Sequence, residues 1–212
     1  MTKQTQFFTA PYRIDYEFID GAGPLIICLH GYGQSGEKFY NSISSVLPTD
    51  AKVLIPNGPF PLPGKARTAE ALGHAWYFYD SKSDEYYVSY DLAVGLIVQL
   101  IEHLNLADCE KIILGYSQGG YLAPFLAQEL TALKNVVSIN GSFRVDKMKK
   151  GKEDFLVHAI NGADDDIVDP LQAQQKHAQL TGLQRRGDFH LLPQTHHRIN
   201  KDVLAVLKSY LT

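Results

Sequence analysis

An apolar run, Lys111-Ile112-Ile113-Leu114, enters Gly115-Tyr116-Ser117-Gln118-Gly119, and a helical pattern of Tyr121, Leu122, Phe125, Leu126 and Leu130 leaves it. This is G-x-S-x-G between a strand and a helix. A bend that tight has no room for a Cβ on either side, and it lifts the serine hydroxyl clear of the sheet edge. The same letters also occur in ordinary glycine turns, so the rest of the chain decides what they mean. A serine hydroxyl is a poor nucleophile at neutral pH. A chemical role for Ser117 therefore requires a histidine base and an acid elsewhere.

The other apolar segments set the fold class. Pro24-Leu25-Ile26-Ile27-Cys28-Leu29 is apolar without alternation, as in a strand covered by helices on both faces. Lys52 to Ile55, Val136 to Ile139, Phe155 to Ile160 and Phe189 to Leu192 read as further strands. Tyr12 to Ile19 forms an early one before the Asp20-Gly21-Ala22-Gly23 turn. Helical spacing appears at Phe39, Ile43, Val46 and Leu47, over Val88 to Leu104, and at Val203, Leu204, Leu207 and Leu211. Asp169-Pro170 and Asn200 have the character of helix starts. Pro124 lies inside the helix after Ser117, where it removes a donor and is expected to bend the axis. Val88 to Leu104 is apolar nearly all round, which predicts deep packing. Strands alternating with helices give an α/β fold with a mostly parallel sheet, and no repeat or linker divides residues 1–212 into more than one domain.

Composition narrows the partners. A net charge of −3 offers no electrostatic case for nucleic acid, and the basic group Lys147, Lys149, Lys150 and Lys152, beside Glu153 and Asp154, reads as a solvated loop. Two cysteines are too few for a disulfide framework. Cys28 reads as a small core residue and Cys109 as a bystander thiol. No secretory signal and no apolar run of about 18 residues is present, so the expectation is a cytoplasmic protein without a stable membrane anchor. No H-E-x-x-H or paired Cys/His spacing occurs, and neither metal nor cofactor is expected.

Sites in open parallel sheets gather beyond the carboxyl ends of the strands. Four segments there carry chemistry: His30-Gly31-Tyr32-Gly33, the Ser117 bend, Asp164-Asp165-Asp166, and His196-His197. By residue type alone the acid is open among three aspartates and the base between two histidines. The remaining histidines have blander readings, His30 shaping its turn, His158 and His190 lying in strands, and His74, His103 and His177 lying on the surface or in loops.

Gly115-Tyr116-Ser117-Gln118-Gly119-Gly120 and Leu29-His30-Gly31-Tyr32-Gly33 make the chain similar to the α/β-hydrolase superfamily. It most resembles the phospholipase/carboxylesterase family that includes acyl-protein thioesterases. The resemblance implies an α/β-hydrolase fold without a large cap domain, and it resolves the open choices. Gly162-x-x-Asp165-x-x-Val168 fits the family's acid position, and His197-Arg198-Ile199 fits its histidine before the last helix. Asn161 stands where the family often has histidine, Asp169 where it often has proline, and Pro193-Gln194-Thr195 replaces a glycine-containing approach. Ser117, His197 and Asp165 are then the implied triad, with the N–H groups of Tyr32 and Gln118 as the oxyanion hole.

The proline-rich stretch from Pro56 to Ala75 leads into Trp76-Tyr77-Phe78, whose rings could fill core or line a substrate surface. Trp76, Tyr77 and Phe78 are taken as candidate substrate contacts. The expected activity is hydrolysis of short or medium carboxylic esters. Thioester hydrolysis with the same triad, and a non-catalytic binding module on the same fold, are the alternatives. The sequence leaves monomer and homodimer open.

Overall fold

The structure is a computed structural model that describes residues 11–63, 73–149, 155–181 and 187–211. Its elements, in chain order, begin with β1 (Tyr16–Ile19), β2 (Leu25–Leu29), α1 (Gly36–Ile43), β3 (Lys52–Pro56), β4 (Phe60–Pro61) and β5 (His74–Ala75). Next come β6 (Phe78–Asp80), β7 (Glu85–Val88), α2 (Asp91–His103), β8 (Lys111–Tyr116) and α3 (Gln118–Ala127). The last are β9 (Leu133–Ile139), β10 (Val157–Gly162), α4 (Pro170–Thr181), β11 (Phe189–Leu192) and α5 (Lys201–Lys208).

Among the described residues, one sheet holds seven strands in the order β1-β3-β2-β8-β9-β10-β11. All its neighbouring pairs are parallel except β1 with β3. The unbroken apolar run of β2 has a simple cause. Leu25, Ile27 and Leu29 pack into the core beneath α2 and α3, while Ile26 and Cys28 pack with Phe39 of α1 and Val203 and Leu207 of α5. Both faces are covered, so alternation never appears in the sequence.

Asn200 caps α5 by accepting from the N–H groups of Asp202 and Val203, and Asp169 accepts from Leu171 and Gln172 ahead of α4. Pro124 is accommodated inside α3, which continues to Ala127. Three expectations change. Val88 ends β7, and α2 begins at Asp91; its exposed Asp91, Leu92, Gln99 and Glu102 show that it packs on one face rather than all round. His177, expected on the surface, is buried in α4 with Nε2 at 2.8 Å from the Val157 carbonyl oxygen. Two small antiparallel pairs, β4–β5 and β6–β7, stand apart from the main sheet. Lys149 pairs with Glu129 at 2.7 Å, whereas Lys150, Lys152, Glu153 and Asp154 lie outside the described residues, as does Gly64 of the proline-rich stretch.

The parallel strands β2, β8, β9, β10 and β11 all end at the same edge of the sheet. The loops leaving that edge build the site.

Candidate active site

Ser117 follows β8 directly, with φ 51° and ψ −115°. Such a conformation costs a non-glycine residue about 1–3 kcal/mol and persists only where the surroundings enforce it. Here the enforcement comes from close packing. A Cβ on Gly119 would overlap the carbonyl oxygen of Leu29, and one on Gly115 would overlap that of Gly119. The Ser117 N–H is held by the Ile139 carbonyl at 2.8 Å.

Ser117 Oγ lies 2.9 Å from His197 Nε2, and His197 Nδ1 lies 2.7 Å from Asp165 Oδ2. The Asp165 side chain is fully buried and that of His197 is 16% exposed. The other carboxylate oxygen, Oδ1, accepts from the N–H groups of Ile167 and Val168, each at 2.9 Å. Asp165 thus has a partner for each oxygen, which is what a buried carboxylate requires. Asp164 and Asp166 are exposed. His196 turns away, its Nδ1 bonded to the Asp164 carbonyl at 2.9 Å. The acid and base left open by residue type therefore differ in environment, and one of each meets Ser117.

Tyr32 sits in the turn after β2. Gly33 N–H donates to the His74 carbonyl at 2.9 Å, His74 N–H to the Gln34 carbonyl at 2.8 Å, and Gly31 N–H to the Gln34 side chain at 3.2 Å. The N–H groups of Tyr32 and Gln118 take part in none of the hydrogen bonds among the described residues. Gln118 is the first residue of α3, where amides lack an intrahelical partner and the helix dipole favours negative charge.

His30 has the structural role expected of it. Its Nε2 accepts from Gly58 N–H at 2.8 Å, so Nδ1 carries the proton and donates to the Gly31 carbonyl at 2.8 Å. Burial pushes the imidazole down to about 4 from an ordinary 6.5. A depressed histidine is neutral in the folded chain but protonates on unfolding. Its stability is complete above 6.5 and is lost as pH falls towards 4, by about 3 kcal/mol at about 1.4 kcal/mol per pH unit. Burial lowers His158 and His177 in the same direction. The unfolding midpoint is expected to drop steeply across that window, and ¹⁵N NMR should find His30 as the neutral Nδ1–H tautomer at pH 5.5. Titration of His30 near 6.5 would contradict the assignment.

Of the three candidate contacts, Trp76 is placed by the structure in the core and not in the lining of the cleft beside Ser117. It is fully buried, its ring lies 4.6 Å from that of His30, and its indole N–H donates to the His30 carbonyl at 2.8 Å. Tyr77 and Phe78 do face a cleft of about 660 Å³ that also exposes Ser117. Tyr32, Tyr79, Tyr86, Tyr87, Tyr121 and Arg144 line it as well. A second cavity, of about 640 Å³ and lined by Tyr12, Asn57 and Pro61 among others, contains none of Ser117, His197 or Asp165.

Sequence reasoning missed three supports. The Gln118 side chain accepts from Trp76 N–H at 3.0 Å and donates to the Tyr77 carbonyl at 2.8 Å, fastening the cleft wall to the serine turn. Tyr116 Oη donates to the His197 carbonyl at 2.9 Å. Asn140, fully buried at the end of β9 with φ 46°, is the third. Its Nδ2 faces the carbonyls of His196 at 3.5 Å and Arg198 at 3.3 Å, on either side of His197, and its Oδ1 accepts from Gly162 N–H at 3.0 Å, ahead of Asp165. One amide joins the histidine loop to the aspartate loop. An asparagine in left-handed conformation directly after a buried strand is the pattern that could have flagged it.

The chain matches the phospholipase/carboxylesterase family over residues 19–212. It belongs to that family. Among solved structures, this family member is similar to esterase PE8, at 20% identity over 94% of this chain and 98% of the other, with a TM-score of 0.73. Zea mays acyl-protein thioesterase 2 is 15% identical over 95% and 98% of the two chains, with a TM-score of 0.74. Arabidopsis thaliana SOBER1 is 20% identical over 90% and 98%, with a TM-score of 0.70. At these identities the likeness establishes the α/β-hydrolase fold. Comparison with curated proteins found no match.

Proposed function

We propose that this member of the family hydrolyses carboxylic esters of short or medium acyl groups, with Ser117 as nucleophile, His197 as base and Asp165 as its orienting acid. The observation that carries the reading is the unbroken series from Ser117 Oγ through both ring nitrogens of His197 to a buried carboxylate. His197 Nε2 takes the serine proton as Oγ attacks the ester carbonyl. The oxyanion is held by the N–H groups of Tyr32 and Gln118, each donor of this kind contributing about 3–4 kcal/mol to the transition state. The imidazolium returns its proton to the departing alcohol, leaving an acyl-serine. Water, deprotonated by the same Nε2, attacks the acyl carbon, and Ser117 leaves with that proton.

Thioesters run through the same steps with a thiol leaving group. Rates on p-nitrophenyl esters from two to sixteen carbons, with matched thioesters, separate the possibilities. The expected profile is Ser117-dependent, peaks at short or medium chains, and favours the oxygen esters. A long-chain or thioester maximum would favour an acyl-protein-type substrate. Absence of turnover on every substrate would leave a binding module.

Asn140 supplies a graded prediction. Asn140→Asp retains the acceptor for Gly162 N–H but loses the donor to the histidine loop. The expected result is a kcat about 10- to 100-fold lower with KM nearly unchanged, the effect of a sub-ångström misalignment. Asn140→Gly relieves the left-handed backbone without restoring the amide, so it should be equally slow. Full activity in the glycine variant would show that backbone conformation, not the amide, matters.

A further inference from the structure

We propose that the cleft in front of Ser117 selects uncharged esters whose acyl part carries a flat ring, over flexible alkyl esters of equal carbon number; this rests on the ester-hydrolase reading above. Three observations lead there: the material of the cleft wall, the way it is held, and its charge.

The wall is made of rings that support one another. Tyr86 meets Tyr77 edge-on at 5.6 Å between centroids and lies tilted to Tyr79 at 5.1 Å, and it is backed by Tyr90, which stacks on Phe125 at 3.8 Å. The hydroxyls of Tyr79 and Tyr87 donate to Asp84 and Asp80 of the same β6–β7 hairpin. Those polar ends already have partners within the hairpin, so what Tyr79 and Tyr87 offer a substrate is ring surface.

The hairpin is also fastened. Arg144, in the segment after β9, reaches Asp146 through Nε at 3.0 Å and Nη2 at 2.8 Å, and Asp84 through Nη2 at 3.0 Å. Its guanidinium lies 5.1 Å from the centre of the Tyr79 ring, and its side chain is only 15% exposed. A forked pair of this kind fixes orientation as well as distance. A wall so held keeps its ring faces in place instead of parting to admit a long chain.

The charge on the lining is paired. Arg144, the charged residue that lines the cleft, is bonded to Asp84 and Asp146, and Lys147 lies 3.9 Å from Asp146. An anionic substrate would have to break formed ion pairs, and a cationic one would be repelled by the guanidinium beside Tyr79. The cleft volume of about 660 Å³ is in the range for a small organic ligand. A ring gains from stacking beyond the area it buries, and it has fewer torsions to freeze than an alkyl chain of equal carbon count.

The test compares vinyl phenylacetate with vinyl octanoate, which share a leaving group and an eight-carbon acyl part. Each kcat/KM is divided by the ester's alkaline hydrolysis rate to remove intrinsic reactivity, and vinyl acetate serves as the reference substrate. The expected ratio favours phenylacetate by about tenfold, the worth of one or two ring contacts. Tyr79→Leu, and separately Tyr87→Leu at an exposed position, keep apolar bulk but remove a ring, and each should bring the ratio towards one. A wild-type ratio at or below one, with vinyl acetate turned over, would overturn the ring preference alone. So would a ratio that neither substitution moves. Failure to hydrolyse vinyl acetate would instead overturn the ester-hydrolase reading, and this inference with it.

Discussion

Ser117→Ala is expected to lower kcat/KM for p-nitrophenyl acetate by at least about 10⁴-fold while leaving the fold intact. In the proposed mechanism, removing Oγ deletes the atom that forms the acyl-enzyme. The residual rate would come from the oxyanion donors and from binding. Stability should change little, because among the described residues Oγ is bonded only to the partly exposed His197, and alanine meets the same backbone strain as serine at φ 51°. The thermal midpoint reports the fold and the rate reports the chemistry. Unchanged activity with an unchanged midpoint would remove Ser117 from the mechanism.

The second large effect is expected at Asp165. An asparagine there can keep its oxygen towards the N–H groups of Ile167 and Val168, which turns its NH₂ towards His197 Nδ1. A donor at that position forces the histidine proton onto Nε2, the nitrogen that receives the serine proton in the proposed mechanism. Flipping the amide restores the tautomer but sets NH₂ against two buried N–H donors. Either arrangement should cost about 10⁴-fold in kcat. Asp164→Asn and Asp166→Asn alter exposed carboxylates and should stay within about twofold. Equal losses at all three positions would mean that the loop acts through its summed charge and not through one oriented oxygen.

The fold was largely legible because its information is local. Leu25 to Leu29 is apolar at every position since both sheet faces are covered, and Asp169 and Asn200 mark helix starts by the caps they form. The start of α2 was missed because Val88 continues the apolar pattern although it belongs to the β6–β7 hairpin. Burial of His177 depends on contacts with Val157 and Phe143 that no spacing encodes.

The candidate site was legible in part. Ser117 announces itself through its glycines, whose missing side chains are demanded by backbone approach. Asp165 and His197 were not separable from their neighbours by residue type; the resemblance distinguished them, and the structure brings them, not Asp164 and His196, to Ser117. Trp76 was ambiguous because an aromatic cluster after a long loop reads equally as core or as surface; its full burial and its bond to the His30 carbonyl place it in the core. Asn140 and Arg144 escaped notice because each acts across elements far apart in sequence.

The most direct measurement is labelling with a fluorophosphonate probe followed by peptide mass spectrometry, on wild type beside Ser117→Ala and His197→Ala. A phosphonyl group transfers only to an activated hydroxyl, and no substrate need be guessed. The account predicts one adduct, on Ser117, formed at least about 10²-fold more slowly in His197→Ala and absent from Ser117→Ala. An adduct on another residue, or none on a folded wild-type protein, would contradict it.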